Sequence, residues 1–260
     1  MSRRPERLAV FDLDGTLTRT MGVDGRCYAR ACREVLGLAR VADDWSAYRH
    51  TSDEGIAREL CERERGRPAE RAELAELKRR FVELLAGEAA RAPELFCEVP
   101  GARETLRELP GCGWAVAVAT GAWEVSARLK LEAAALPTGL PLATSDGMPE
   151  RAAIVRAAIG RATALHEVLG FSRVVSVGDA VWDVRTARDL GLPFVGVHVE
   201  GGGSGLRGAG AGRVLRDYTE LEEVLAALDG ASRPHPPRRM PHARAGGGLT
   251  RPRRRGRGGA

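Results

Sequence analysis

The chemistry available to this 260-residue chain is concentrated in aspartates with short spacings. Asp12 and Asp14 stand two residues apart and run straight into Gly15 and Thr16. Two carboxylates that close repel each other and lose hydration in a cleft, a cost that a cation removes. A hard divalent ion with oxygen ligands, Mg2+ above all, suits such a pair. Gly15 permits a sharp turn, and the Thr16 hydroxyl can cap a backbone or contact an anion. Asp179 and Asp183, four apart where a helix is expected to begin, would project from one face of its first turn and add carboxylate to the same ion. Thr120 and Gly121, at the start of another expected helix, offer a hydroxyl and backbone N–H groups to a phosphate oxygen. A cation completes such a set by holding the anion and balancing the acidic site. A calcium-loop reading of Asp12-x-Asp14-Gly15 fails, because the last acidic ligand of that loop would fall on Val23.

Residues 12 and 183 can meet only if strands deliver them to one place. Apolar runs at 8–11, 114–119, 174–177 and 194–197, with a short segment at 140–143, read as buried strands. Helices are expected at 102–109, 123–135, 149–169, 181–190 and 218–228, with a loop over the glycine-rich stretch 201–212. Strands alternating with helices predict an α/β fold, a Rossmann-like parallel sheet covered on both faces. Ligands of such sheets bind beyond the carboxyl ends of the strands, where Asp12, Thr120 and Asp179 all fall. Any one of these residues alone is as well explained as a helix cap or turn. Three together point to a site. Between the first two strands the chain reads as helical from 18 to 96, with segments at 26–36, 54–64 and 69–90 broken at Gly37, Gly66 and Pro68.

The formal net charge of +5 averages two unlike parts. Residues 231–260 hold nine arginines and no acid, which leaves 31 basic and 35 acidic side chains in residues 1–230, a net of −4. The tail is expected to be disordered. Its arginines would attract a nucleic-acid backbone without sequence specificity. Yet only Lys78 and Lys130 of the 40 basic residues are lysines, so arginine dominates everywhere, and the tail has no aromatic residue to stack on bases. Nucleic-acid binding is thus an accessory reading at most. The hydrophobic share of 43% and charged share of 29% supply a sizeable core and exclude a wholly disordered chain. No apolar run reaches the roughly 18 to 20 residues of a membrane-spanning helix, and no signal-peptide segment is seen. Five cysteines without a Cys-x-x-Cys pair argue against a disulfide framework or thiolate zinc site, so buried free thiols in a reducing cytoplasm are expected.

Taken together, the segments Phe11-Asp12-Leu13-Asp14-Gly15-Thr16-Leu17, Thr120-Gly121 and Gly178-Asp179-Ala180-Val181-Trp182-Asp183 resemble the motifs of the haloacid dehalogenase superfamily in order and spacing, over residues 8 to about 229. The resemblance implies Asp12 as a nucleophile forming an aspartyl-phosphate. It implies Asp14 as the general acid and then base. Mg2+ would be held by Asp12, by the backbone carbonyl of Asp14, by Asp179 and, directly or through a ligand, by Asp183. Thr120 and Gly121 would bind the phosphoryl group. The family's usual lysine before its last motif is missing. Lys130 lies ten residues past Thr120, about 15 Å of helix, and reads as too far away to serve. Arg151 sits where that lysine would, and it is expected to bind phosphate in its place.

The domain organisation implied is a core at 1–17 and 99–229, an α-helical cap at 18–98, and the tail at 230–260. A cap excludes water and reads the leaving group. The cap segment 45–53 mixes aromatic, basic and hydroxyl residues and is the candidate substrate-reading loop, with His50 as its substrate-binding residue. An equal reading makes Ser52 or Asp53 a helix cap and Trp45 and Tyr48 cap core. The implied activity is a Mg2+-dependent phosphatase acting on a small phosphorylated metabolite, similar to phosphoglycolate phosphatases. A phosphomutase similar to β-phosphoglucomutase is the alternative. Dehalogenation, which needs one aspartate and no metal, fits poorly with Asp14, Asp179 and Asp183 all present.

Overall fold

The computed structural model describes residues 4–38, 41–42, 44–199 and 203–236. Their strands are β1 (Arg7–Phe11), β2 (Trp114–Ala119), β3 (Leu142–Ala143), β4 (Arg173–Gly178), β5 (Phe194–Val197) and β6 (Val214–Leu215). They form one sheet in the order β3-β2-β1-β4-β5-β6, and every pairing is parallel. Continuous apolar strands arise because both faces are covered. Ala9, Phe11, Val116 and Val118 face one core, while Leu8, Val10, Ala115 and Ala117 face the other. The fold is thus the α/β parallel sheet expected from the sequence.

The helices are α1 (Met21–Leu36), α2 (Asp53–Arg65), α3 (Arg71–Arg91), α4 (Ala102–Glu108), α5 (Glu124–Ala133), α6 (Arg151–Leu165), α7 (Val181–Asp189), α8 (Ser204–Ala209) and α9 (Leu221–Asp229). Helices α4, α5 and α9 pack on one face of the sheet and α6 on the other. Helices α1 to α3 enclose a second apolar core built around Tyr28, Ile56, Phe81 and Trp123. Ser52 caps α2, its hydroxyl accepting from the Gly55 N–H, and Tyr48 is buried in that second core with Trp45 packed on it.

Three sequence expectations need correction. Helix α1 begins at Met21 rather than 26, because Gly22 and Gly25 weaken helix propensity but tertiary packing overrides them. At Gly25 the Trp45 ring lies 3.2 Å from where a Cβ would stand. The stretch 201–212 is not all loop, since α8 lies within it, and β6 follows with two residues, too short to show a period. The tail does not begin at 230: Phe194 N–H donates to Ser232 O at 3.0 Å and His235 N–H to Gly210 O at 3.0 Å. Residues 237–260, with most of the arginines of that tail, lie outside the described residues. All five cysteines are free, but only Cys27, Cys32 and Cys61 are buried, and Cys97 is exposed. No helix among the described residues is long and apolar enough to cross a membrane.

Candidate active site

Strands β1 and β4 are neighbours in register, Phe11 opposite Val177, and the sheet order reverses direction beside them. Asp12 N–H still donates to Val177 O at 2.9 Å, so Asp12 and Asp179 leave the sheet side by side. That is the switch point where open α/β sheets bind ligands. Asp183, in the first turn of α7, folds back, its Oδ2 accepting from Ala180 N–H at 3.1 Å. One carboxylate oxygen from each of Asp12, Asp179 and Asp183 then lies within 4.8 Å of the others. Close approach at this point demands glycine at 15. It has φ +82°, and a Cβ there would stand 2.1 Å from Asp179 Oδ2. Thr16 Oγ1 donates to Asp179 Oδ1 at 3.1 Å.

One cation serves these three carboxylates among the described residues. Arg151, first residue of α6, donates from Nη2 to Asp12 Oδ1 at 2.9 Å and pairs with Asp183. Burial, together with the charges of Asp183 and Asp14, outweighs Arg151 and pushes the Asp12 carboxyl up to about 7. Burial, Asp183 and Asp12 hold Asp179 well above the usual carboxylate range. An all-oxygen, buried and under-compensated cluster of this spacing fits a hard divalent cation.

On the other side of β1, Thr120 directly follows β2, and its Oγ1 accepts from Ala122 N–H at 3.1 Å. The start of α2 lies directly on this turn. Asp53 N–H donates to Gly121 O at 2.8 Å, and Trp123 N–H donates to Asp53 Oδ2 at 3.0 Å. A small cavity of about 70 Å³ remains between, with Asp12, Asp14, Thr120, Gly121 and Arg151 on one side and Asp24, Tyr28, Trp45, Ser52 and Asp53 on the other. At Gly121 a Cβ would stand 2.6 Å from Thr51 O and 2.8 Å from Arg151 Nη1. Gly121→Ala is therefore expected to push the helical insert off the strand ends. Accelerated proteolysis within 51–56, or faster amide exchange at Asp53, would report it, whereas unchanged protection would show that the contact is not tight.

A family model described as haloacid dehalogenase-like hydrolase matches residues 9–188. The chain belongs to this family. No curated protein matches the sequence. Solved structures do match in fold. A hydrolase from Pseudomonas syringae is 22% identical, with a TM-score of 0.60 and coverage of 85% of this chain and 99% of that one. CbbY from Rhodobacter sphaeroides, in complex with phosphate, is 21% identical with a TM-score of 0.62, covering 86% and 99%. A HAD family hydrolase from Deinococcus radiodurans R1, with bound phosphate and sodium, is 23% identical with a TM-score of 0.53, covering 90% and 100%.

Within this haloacid dehalogenase-like hydrolase, the distance assigned to Lys130 needs correction. Its side chain is fully buried, with Nζ 2.5 Å from Asp14 Oδ2 and 2.7 Å from Asp24 Oδ1. Counting helix rise from Thr120 overstated the gap. Helix α5 starts only at Glu124, so Lys130 is about 9 Å along its axis. Asp14 also lies past the strand end, on the side where α1 brings Asp24. Burial alone would lower the Lys130 ammonium, but Asp14 and Asp24 outweigh it and hold it charged. Asp14 turns away from the metal cluster, since its Oδ1 accepts from Thr20 Oγ1 at 2.5 Å. Its carboxylate is thus not placed as a metal ligand. His50 packs its Cβ against Gly55 and is not among the residues lining the cavity, which Thr51, Ser52 and Asp53 line instead. Sequence reasoning missed Asp24, and it had Asp53 only as the end of the 45–53 segment or as a helix cap. Each reads in sequence as an ordinary acid in the first turn of a helix.

Proposed function

We propose that the protein is a Mg2+-dependent phosphatase hydrolysing a small phosphorylated metabolite, with residues 18–98 as a cap over a core formed by 1–17 and 99–229. The placement of Asp12 carries the proposal: it ends the central strand beside Asp179 and Asp183, faces the Arg151 guanidinium, and lines a cavity that Thr120 closes. Two fold relatives that hold phosphate lend support. The Asp12 carboxylate would attack phosphorus as the bond to the leaving oxygen breaks, and Asp14 would protonate that oxygen. Water, giving its proton to Asp14, would then hydrolyse the aspartyl-phosphate. Thr20 and Lys130 hold the Asp14 carboxylate in place for both steps. Thr120 and Gly121 would bind phosphoryl oxygens, and Arg151 would move from Asp12 to them. Asp12, Asp179 and Asp183 would hold Mg2+, which supplies the positive charge that a dianion needs to approach this acidic site. The buried free thiols support a reducing, cytoplasmic setting.

The test is steady release of inorganic phosphate from a panel of small phosphomonoesters, with Mg2+ and after chelation. Activity that survives chelation overturns the proposal, and transfer of phosphate within the substrate without net release would assign a phosphomutase instead.

Protons should compete with the ion. Because burial lifts Asp12 to about 7 in the metal-free site, calorimetric Mg2+ affinity is expected to weaken from pH 8 to pH 6, by at most about tenfold per pH unit for one displaced proton. The same linkage is expected in the stability of the metal-free fold. A carboxyl with a raised folded pKa binds its proton more tightly when folded, so its stabilising effect is full at acid pH and is lost as pH rises through about 7. Affinity that does not change between pH 6 and 8 would contradict both statements.

A further inference from the structure

We infer that the leaving group accepted here is small and positively charged, the alcohol of a two- or three-carbon amino-alcohol phosphate, with its ammonium lodged against Asp53 and Asp24. The inference rests on the phosphatase reading and adds the substrate class. Size comes first. The cavity between core and insert is small, about 70 Å³, and open to solvent on one side, which favours a short leaving group without enclosing it.

Charge decides the rest. Asp12, Asp14, Asp24 and Asp53 line the cavity, with Asp179 and Asp183 behind Asp12, and Arg151 and Lys130 are the cations paired with them among the described residues. Arg151 belongs to Asp12 and Asp183, and Lys130 is taken up between Asp14 and Asp24. A divalent ion and a phosphate dianion cancel, so binding both leaves the acidic excess in place. Much of that excess lies on the side of the leaving group. The Asp53 side chain is buried and lines the cavity; among the described residues its carboxylate accepts one hydrogen bond, from Trp123 N–H, and forms no ion pair, with the Lys130 charge acting on it from beyond contact. Burial and the neighbouring Asp24 hold the Asp53 carboxyl well above the usual carboxylate range although Lys130 acts against them, and an ammonium group beside it would relieve that cost. Beside it stand the rings of Tyr28 and Trp45, packed edge to face at 5.9 Å, which line the same cavity with apolar surface for a short carbon chain. A leaving group ending in carboxylate would meet Asp53 and Asp24 with no free cation to receive it. Arginines of α1 (Arg26, Arg30 and Arg33) line a separate groove, beyond the Met21 and Trp45 that wall both spaces.

Three phosphomonoesters of equal length test this: 2-aminoethyl phosphate, 2-hydroxyethyl phosphate and phosphoglycolate, with acetyl phosphate as a fourth substrate of unrelated leaving group. The wild-type kcat/KM is expected to be about tenfold higher for the ammonium compound than for the hydroxyl compound, and lowest for the carboxylate. Asp53→Asn should bring the ammonium-to-hydroxyl ratio close to unity. A carboxylate compound hydrolysed as well as the ammonium compound overturns the inference, as does a ratio that Asp53→Asn leaves unchanged in a folded variant. Turnover of acetyl phosphate with none of the other three also overturns it while leaving the phosphatase standing. No turnover of any of the four removes the phosphatase reading and this inference with it.

Discussion

Replacing Asp12 with asparagine is expected to abolish phosphate release while leaving the metal-free fold at least as stable as before. The two effects have one origin. Asp12 is 8% exposed and stands with Asp179 and Asp183 in a cluster that a single guanidinium compensates. Its negative charge is a burden in the folded, metal-free protein, and its raised pKa expresses that. Asparagine is isosteric, keeps an oxygen for Arg151 and removes the charge, so urea unfolding at pH 8 without metal should show stability unchanged or raised by on the order of 1 kcal/mol. An amide is no nucleophile for phosphorus, so turnover should fall by roughly 10⁴-fold or more, as when other covalent catalysts lose their nucleophile. Trapping should also fail: acid quench of the wild type would catch phosphate on the protein, and the variant would show none. Turnover within tenfold of wild type would remove Asp12 from the role of nucleophile. A variant that unfolds would show instead that the charge is structural.

The parts of this site that were legible in the sequence are those whose position follows from a strand end. Asp12, Thr120 and Asp179 each follow a run of apolar residues that has to be a buried strand, and parallel packing brings all such ends to one edge of the sheet. Asp183 was legible because one helical turn returns it to the same edge. Arg151 was singled out because it sits where the resembled family places a lysine, and the structure puts it at the start of α6. Asp24 and Lys130 were not legible, and Asp53 was legible only as part of the segment 45–53; the reason is common to all three. Their positions depend on how one helix packs against another, and no periodicity encodes that. Lys130 carries a charge on the inward face of α5, where a sequence pattern expects an apolar residue, and only the carboxylates arriving from β1 and α1 make its burial tolerable. The early start of α1 was lost for a related reason, since Gly22 and Gly25 argue locally against a helix that tertiary contacts impose.

Lys130→Met should be among the most damaging substitutions in the molecule. The ammonium is fully buried and joins Asp14, on the core, to Asp24, on the first helix of the insert. Methionine matches the chain in length and fills the same space, so the loss is electrostatic rather than a matter of volume. Two largely buried carboxylates would remain without their cation, and breaking a buried pair in this way costs about 3–5 kcal/mol. Asp24→Asn in the same chain removes one of the two stranded charges and is expected to return part of that stability, so the two substitutions should be strongly non-additive. Turnover should separate the two aspartates. If Lys130 serves catalysis by holding Asp14 where it can protonate the leaving oxygen, the folded double variant will bind substrate with little change in KM but turn it over slowly. The loss should shrink for a substrate such as acetyl phosphate, whose leaving group needs little protonation. A Lys130→Met protein as stable as wild type would show that the ion pair is not formed. A stabilised double variant with full kcat would confine Lys130 to joining the insert to the core.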